Sequence, residues 1–149
     1  NEMSPGKKAF VILKLLLEFD TRECPILIDQ PEDSLDNRAI YKELVQYIKD
    51  KKKTRQIILV THNSNVVVSA DSENVIVANQ HGSKNINDGN IRFKYINGSL
   101  ENSKMRNDGY NEEIDSILPS QGIREHVCDI LEGGQEAFEK REKKYGFTK

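Results

Sequence analysis

Tryptophan is absent from these 149 residues, and cysteine occurs only twice, at Cys24 and Cys128. Two cysteines without a Cys-x-x-Cys spacing exclude a disulfide-stapled scaffold and a cysteine-rich zinc module, and they read as reduced thiols. An excess of charge of one sign is also lacking. The 22 basic residues stand against 24 acidic ones, a net of -2, so bulk electrostatics ask for neither nucleic acid nor a membrane surface. Long apolar runs are missing too. Residues 9–17 form the longest, and Lys14 interrupts it well short of a bilayer's thickness. The opening Asn1-Glu2-Met3 has neither the basic nor the apolar part of a signal peptide, so a cytoplasmic setting without a membrane partner is expected. What is present suffices for a compact domain with a core. Asn1 is an odd first residue for a gene product, and the chain reads as the C-terminal piece of something longer.

Turn residues at Met3-Ser4-Pro5-Gly6-Lys7 let a helix begin only near Pro5. Residues 8–19 predict that helix, with Phe10, Leu13, Leu16 and Leu17 on one face and Val11, Ile12 and Leu15 on others. A helix apolar nearly all round is expected to be buried. Residues 24–28 read as a short strand. Residues 37–53 read as an amphipathic helix through Ile40, Leu44, Val45 and Ile48, with Asp36 or Asn37 as its N-cap. The β-branched run at 56–60 predicts a strand covered on both faces. A short helix at 64–70 and a strand at 74–78 continue a strand–helix alternation that argues α/β with parallel pairing. Residues 81–90 are loop. Residues 90–97 alternate as a half-buried strand, with Ile91, Phe93 and Tyr95 on one side, and Asn97-Gly98 is expected to turn it. Residues 101–111 are polar and expected to be loose. Short helices are predicted at 112–118 and 124–131 around Pro119, then a charged one at 135–145.

Two strand ends carry the chemistry. Ile26-Leu27-Ile28 runs into Asp29-Gln30-Pro31-Glu32-Asp33-Ser34-Leu35-Asp36, and one helix later Ile57-Ile58-Leu59-Val60 runs into Thr61-His62-Asn63. Strands of a parallel sheet present their C-terminal ends to one crevice, so Asp29 and His62 are expected to converge. A carboxylate at a rigid strand end can hold Mg²⁺, directly or through water. A nearby carboxylate or amide can orient a water and relieve it of a proton. An imidazole can donate to developing charge. Taken singly, Asp29 is an ordinary strand-end residue and His62 an ordinary structural histidine. Their order and spacing together favour a nucleoside triphosphate site.

That order resembles the nucleotide-binding domain of ABC-type ATPases of the SMC and RecF kind. The resemblance makes the first strand Walker B, Ser34-Leu35-Asp36 the D-loop and His62 the switch histidine, with ATP and Mg²⁺ as cofactors. Met3-Ser4-Pro5-Gly6-Lys7-Lys8 resembles the signature Leu-Ser-Gly-Gly-Gln: Ser4 and Gly6 match, while Met3, Pro5 and Lys7 are variants. A Ser hydroxyl and open amides at a helix N-terminus suit phosphate. In that family the phosphate belongs to the ATP of a partner subunit, so the resemblance implies a two-site dimer of heads. Ser4, Gly6, Lys7, Asp36 and Asn63 are then the nucleotide-binding candidates. Gly6-Lys7 fails as a Walker A loop, since Lys8 stands where Ser or Thr should and no glycine occupies the first position. No Gly-x-x-x-x-Gly-Lys-Ser/Thr occurs in the chain. An N-terminal lobe carrying Walker A is therefore expected upstream, and the chain alone is expected to be inactive toward ATP.

Gln30 departs from the pattern, because most ABC ATPases carry the catalytic Glu there. A carboxamide cannot accept a proton and can at best position water. Either Glu32 supplies the base from beyond Pro31, or the protein is a slow nucleotide switch, or the Gln is engineered; Glu32-Asp33 also reads as a solvated acidic turn. Asp-Gln-Pro-Glu-Asp-x-Leu-Asp-Asn, Arg55-Gln56, Thr61-His62-Asn63-Ser64-Asn65, 130–138, Arg141 and Lys144-Tyr145 resemble a narrower group, the TrlF-type and related DNA-repair or phage-defence ATPases. There a Gln after the Walker B Asp looks native.

The expected fold class is α/β: a P-loop NTPase-like parallel sheet with flanking helices, the C-terminal half of an ABC ATPase head over 1–110, followed by a short helical tail over 111–149. The expected function is ATP hydrolysis in a dimer of heads, with Asp29 on the metal, Glu32 or Gln30 on the water and His62 on the γ-phosphate, driving a DNA-repair or defence activity. The alternatives are a non-hydrolysing, nucleotide-responsive scaffold that recruits an effector such as a nuclease, and a plain α/β interaction module. Ile123, Val127, Ile130, Leu131 and Phe138 read first as packing residues and second as a docking site for that effector. The run Asp50-Lys51-Lys52-Lys53-Thr54-Arg55 reads as a solvated helix end before it reads as a DNA contact.

Overall fold

The computed structural model describes residues 3–31 and 38–130. They fall into two compact units, Asn1–Asp71 and Ser72–Lys149. In the first unit, α1 (Pro5–Phe19) starts where proline allows. Pro5 takes the first helical position, and the Ser4 hydroxyl accepts the Lys7 N–H at 3.3 Å. β1 (Ile26–Asp29), α2 (Arg38–Lys51), β2 (Ile57–Val60) and α3 (Ser64–Ser69) follow. β1 and β2 pair in parallel, in a register from Ile26 opposite Ile57 to Asp29 opposite Val60. The expected parallel pairing is present as this two-stranded sheet.

The core of the unit joins both helices to the sheet: Phe10, Leu44, Ile48 and Ala70 are buried together, with Leu13, Ile57 and Leu59 packed against them. Burial and the nearby Glu18 carboxylate push the Tyr47 phenol on α2 up to about 12. One layer of helices covers only one face of the strands. Ile26 and Ile28 are buried, whereas Leu27 is 69% exposed and Ile58 and Val60 stand open beside it. β2 is thus not covered on both faces. Nor is α1 buried all round: Phe10 and Leu13 face the core, while Ile12, Leu15, Leu16 and Phe19 are exposed. Leu16 lies off the face assigned to it from its spacing.

The basic run after α2 is tied down by carboxylates. Lys51 meets Glu18 at 3.2 Å, Lys52 meets Asp71 at 3.3 Å and Lys53 meets Asp50 at 3.0 Å. Arg55 is mostly buried and reaches Asp20 at 3.0 Å, while its Nε–H donates to the Cys24 carbonyl at 2.5 Å. Hydrogen bonds from Arg22, aided by Arg55, hold the Asp20 carboxyl well below the usual carboxylate range.

In the second unit, β3 (Val75–Gln80) and β4 (Phe93–Gly98) pair antiparallel, from Val75 opposite Gly98 to Gln80 opposite Phe93. The third strand therefore does not extend the parallel sheet. The connecting loop is organised by Asn87, which is almost fully buried. Its carboxamide N–H groups donate to the Asn79 and Ile91 carbonyls, and its oxygen accepts from Asn79 Nδ2 at 2.9 Å. Lys94 and Ser116 both bond Asp88, in a 3-10 turn at Asp88–Asn90.

The period of β4 is as expected, and its buried face is the one opposite Phe93 and Tyr95. Phe93 and Tyr95 are exposed, and Ile96 and Gly98 share the inner side with Val75 and Val77. Period-2 alternation specifies two faces without naming the buried one. Asn97-Gly98 is not a turn either. Gly98 ends β4, and a Cβ there would stand 3.1 Å from Ile123, so the glycine permits close packing.

The inner face is covered by α4 (Ile117–Ser120) and α5 (Ile123–Ile130), through Leu118, Ile123 and Val127. α4 is one turn that contains Pro119, shorter than the helix predicted at 112–118, because Asn111 and Asp115 close a hydrogen-bonded turn just before it. Residues 102–106 are strapped rather than loose. Asn102 caps α5 by accepting the Ile123 and Arg124 N–H groups, and Glu125 accepts the Lys104 N–H at 3.0 Å and the Ser103 hydroxyl at 2.5 Å. Among the described residues no helix is long and apolar enough to cross a membrane. The helix expected at 135–145 lies outside them, as do Leu131 and Phe138.

Candidate functional site

The candidate site lies at the C-terminal ends of β1 and β2. Asp29 is the last residue of β1 and pairs with Val60, the last of β2. Ladder alternation puts Asp29 on the exposed side with Leu27. The next residue, Gln30, donates its backbone N–H to the Val60 carbonyl at 2.8 Å. Its φ of 43° lies in the left-handed region. For a non-glycine residue this costs of the order of 1–3 kcal/mol, and the following Pro31 further narrows its choices. The bond to Val60 thus holds a strained residue at the point where the chain leaves the strand.

β2 leads straight into Thr61-His62-Asn63. His62 is exposed, and Thr61 and Asn63 are half-buried. The Thr61 hydroxyl oxygen accepts the Asn63 N–H at 2.9 Å, and Asn63 Oδ1 accepts the Asn65 N–H at 3.0 Å as the N-cap of α3. The register thus brings Asp29 and Gln30 to Val60, two residues before His62 in the chain. Asn63 spends its side-chain oxygen on the cap, so its carboxamide N–H groups are the ones a phosphate oxygen would use.

Ser4, Gly6 and Lys7 stand at the N-terminus of α1 and not on the strand ends. Ser4 and Lys7 are exposed. The Ser4 oxygen already accepts from the helix, which leaves its O–H as the donor for a phosphate. Glu32 and Asp36 lie outside the described residues.

Among the described residues no group of three or more His, Cys, Asp and Glu side chains could enclose a metal ion. Mg²⁺ in phosphate-handling sites takes one or two protein carboxylates and completes its shell with phosphate oxygens and water. One exposed Asp at a strand end fits that demand. Thr61 was not among the functional candidates read from the sequence. The signal that could have found it is its spacing two residues before Asn63, a hydroxyl placed to accept a backbone N–H across the intervening histidine.

No family model matches the chain, and no curated protein matches it. A solved structure described as "Structural biochemistry of ATP-driven dimerization and DNA stimulated activation of SMC ATPases" is similar, at 25% identity and a TM-score of 0.51. The match covers 66% of this chain and 56% of that one, so the chain spans little more than half of that structure's length. At this level the chain is similar in fold to an SMC ATPase, mixed α/β with a small parallel sheet.

Proposed function

We propose that this chain is the C-terminal part of the head of an SMC-like ABC ATPase that hydrolyses ATP in a dimer of heads. The observation that carries the reading is the in-register pairing of β1 and β2, which brings Asp29 and Gln30 to Val60, the residue that leads into Thr61-His62-Asn63, on an SMC-like fold. Bound Mg²⁺–ATP would supply the phosphoanhydride and a cation that neutralises phosphate charge. Asp29 would hold that cation. Gln30, its backbone fixed by Val60, would orient water, and Glu32 would take the proton. His62 would donate to the γ-phosphate. Ser4, Gly6 and Lys7 would meet the phosphates of the partner head's ATP, with Asp36 between the two sites.

The bare side of the parallel sheet supports a missing lobe. Parallel strands are ordinarily covered on both faces, and Leu27, Ile58 and Val60 are not. An N-terminal lobe carrying Walker A is the cover this reading requires, and the chain alone is then inactive. Residues 1–110 would be the lobe and 111–149 its extension, in a cytoplasmic protein of the DNA-repair or defence type. ATP-driven dimerisation and DNA stimulation, stated of the similar SMC ATPase, are carried over here as part of the proposal. The carboxylate pairing of Lys51, Lys52, Lys53 and Arg55 supports the helix-end reading of this run over the DNA-contact one. Ile123 and Val127 are buried, which favours packing over effector docking for α5. Ile130, read from the sequence as a packing residue, is instead 52% exposed.

Gln30 supports a second reading, a nucleotide-responsive scaffold without turnover. Steady-state ATP hydrolysis by the intact protein separates the two, beside Glu32→Gln and His62→Ala. Turnover that falls about 10²-fold or more in Glu32→Gln makes Glu32 the base. ATP-driven dimerisation without turnover makes the protein a switch.

A further inference from the structure

We propose that Thr61 is a positioning residue for His62, acting by the hydrogen bond its hydroxyl accepts from the Asn63 N–H. The inference rests on the ATPase reading of His62. The two flanks of the histidine are fixed by different bonds. On one side, Thr61 follows Val60, whose carbonyl accepts the Gln30 N–H at 2.8 Å. On the other, Asn63 caps α3 through Asn65, its carbonyl accepts the Val66 N–H at 3.0 Å, and Ser64 and Val66 are buried. The Thr61–Asn63 bond, at 2.9 Å, closes the turn across His62 itself. The imidazole thus stands exposed on a segment whose ends are anchored.

The direction in which the imidazole leaves the chain is set by the backbone beneath it, whatever its side chain meets further out. Without the hydroxyl, the turn keeps its cap on α3 but loses the bond that sets the direction of residue 62. A donor aimed at a transferring phosphoryl group acts only when aligned, and misplacement by about 1 Å can cost about 10²-fold. Thr61 touches no phosphate in this account; it acts through His62.

The test is a double-mutant cycle on MgATP turnover by the intact ATPase that carries this chain. Thr61→Val removes the hydroxyl at nearly constant shape, and Thr61→Ser keeps it. The expected result is a loss in kcat of about 10- to 100-fold for Thr61→Val with little change in KM for ATP. Thr61→Ser should restore most of the activity, and Thr61→Val should cause no further loss in the His62→Ala background. Full activity of Thr61→Val, or a loss that multiplies with that of His62→Ala, overturns the proposal and leaves Thr61 a folding residue. If His62→Ala alone turns over normally, the ATPase reading of His62 fails, and the positioning role falls with it.

Discussion

In the parallel pair, Leu27, Ile58 and Val60 face outward; in the antiparallel pair, Ile76, Phe93 and Tyr95 do. The same kind of apolar exposure has different meanings in the two units. Antiparallel sheets commonly present one face to solvent, whereas parallel ones are covered on both. The inner face of β3–β4 is moreover closed by α4, α5 and the straps at Asn102 and Glu125. The first unit has its inner core and ion pairs, but among the described residues no comparable cover outside. A sheet with a buried inner face, an exposed outer face and polar residues at one strand end is what the proposed two-lobe site requires of its first half.

The sharpest way to test the separateness of the units is at their cores. Leu44→Ala removes a fully buried side chain and should cost about 2–5 kcal/mol. Hydrogen exchange should quicken in Ile26–Asp29 and Ile57–Val60 and leave Val75–Gln80 nearly unchanged. Equal quickening in both strand pairs would break the comparison. Next come the bare faces. In the intact protein, Leu27→Asp should destabilise by about 3 kcal/mol, because a covered face would bury the charge. Ile76→Asp should stay within about 0.5 kcal/mol, as ordinary surface substitutions do. Thermal unfolding of the two variants reads this directly, and similar shifts would mean that the two faces are alike.

The straps of the second unit give smaller effects. A Cβ at Gly122 would stand 2.5 Å from the Lys104 nitrogen and 2.7 Å from the Asn102 oxygen, whereas at Gly109 it would meet nothing within 4 Å. Gly122→Ala should cost about 1–3 kcal/mol in denaturant unfolding, with Gly109→Ala as a near-neutral control. Glu125 gives the smallest effect and a pH signature. Burial opposes its charge, but hydrogen bonds from the Ser103 hydroxyl and the Lys104 N–H outweigh it and hold the carboxyl below its ordinary value. The folded value is depressed, so its stabilisation is present above the unfolded pKa of about 4.3. It is lost as the pH falls through the lower folded value. Exchange of the Lys104 amide should rise over that window and be insensitive to pH there in Glu125→Gln, once the intrinsic dependence is divided out.

The legible parts of the sequence were those set by local pattern. Proline fixed the start of α1, the β-branched run marked β2, and the strand-end residues marked where a site could form. Partnership was not legible. The spacing of Ile91, Phe93 and Tyr95 gave a period but not the buried face, and Asn97-Gly98 has turn chemistry although Gly98 serves helix packing. The apolar girth of α1 reported how much surface needs cover, not whether the cover belongs to these residues. In the candidate site, Asp29 and His62 were singled out because their chemistry is distinctive. Thr61 was overlooked because its bond is to backbone, which side-chain identity does not announce.

The central claim is that these residues form one part of a nucleotide site whose phosphate cradle lies on another lobe. The most direct measurement is equilibrium binding of MgATP to the 149-residue chain alone and to the intact protein, side by side. The account predicts saturable binding to the intact protein and none to the chain at micromolar nucleotide. Saturable micromolar binding by the chain alone would contradict it.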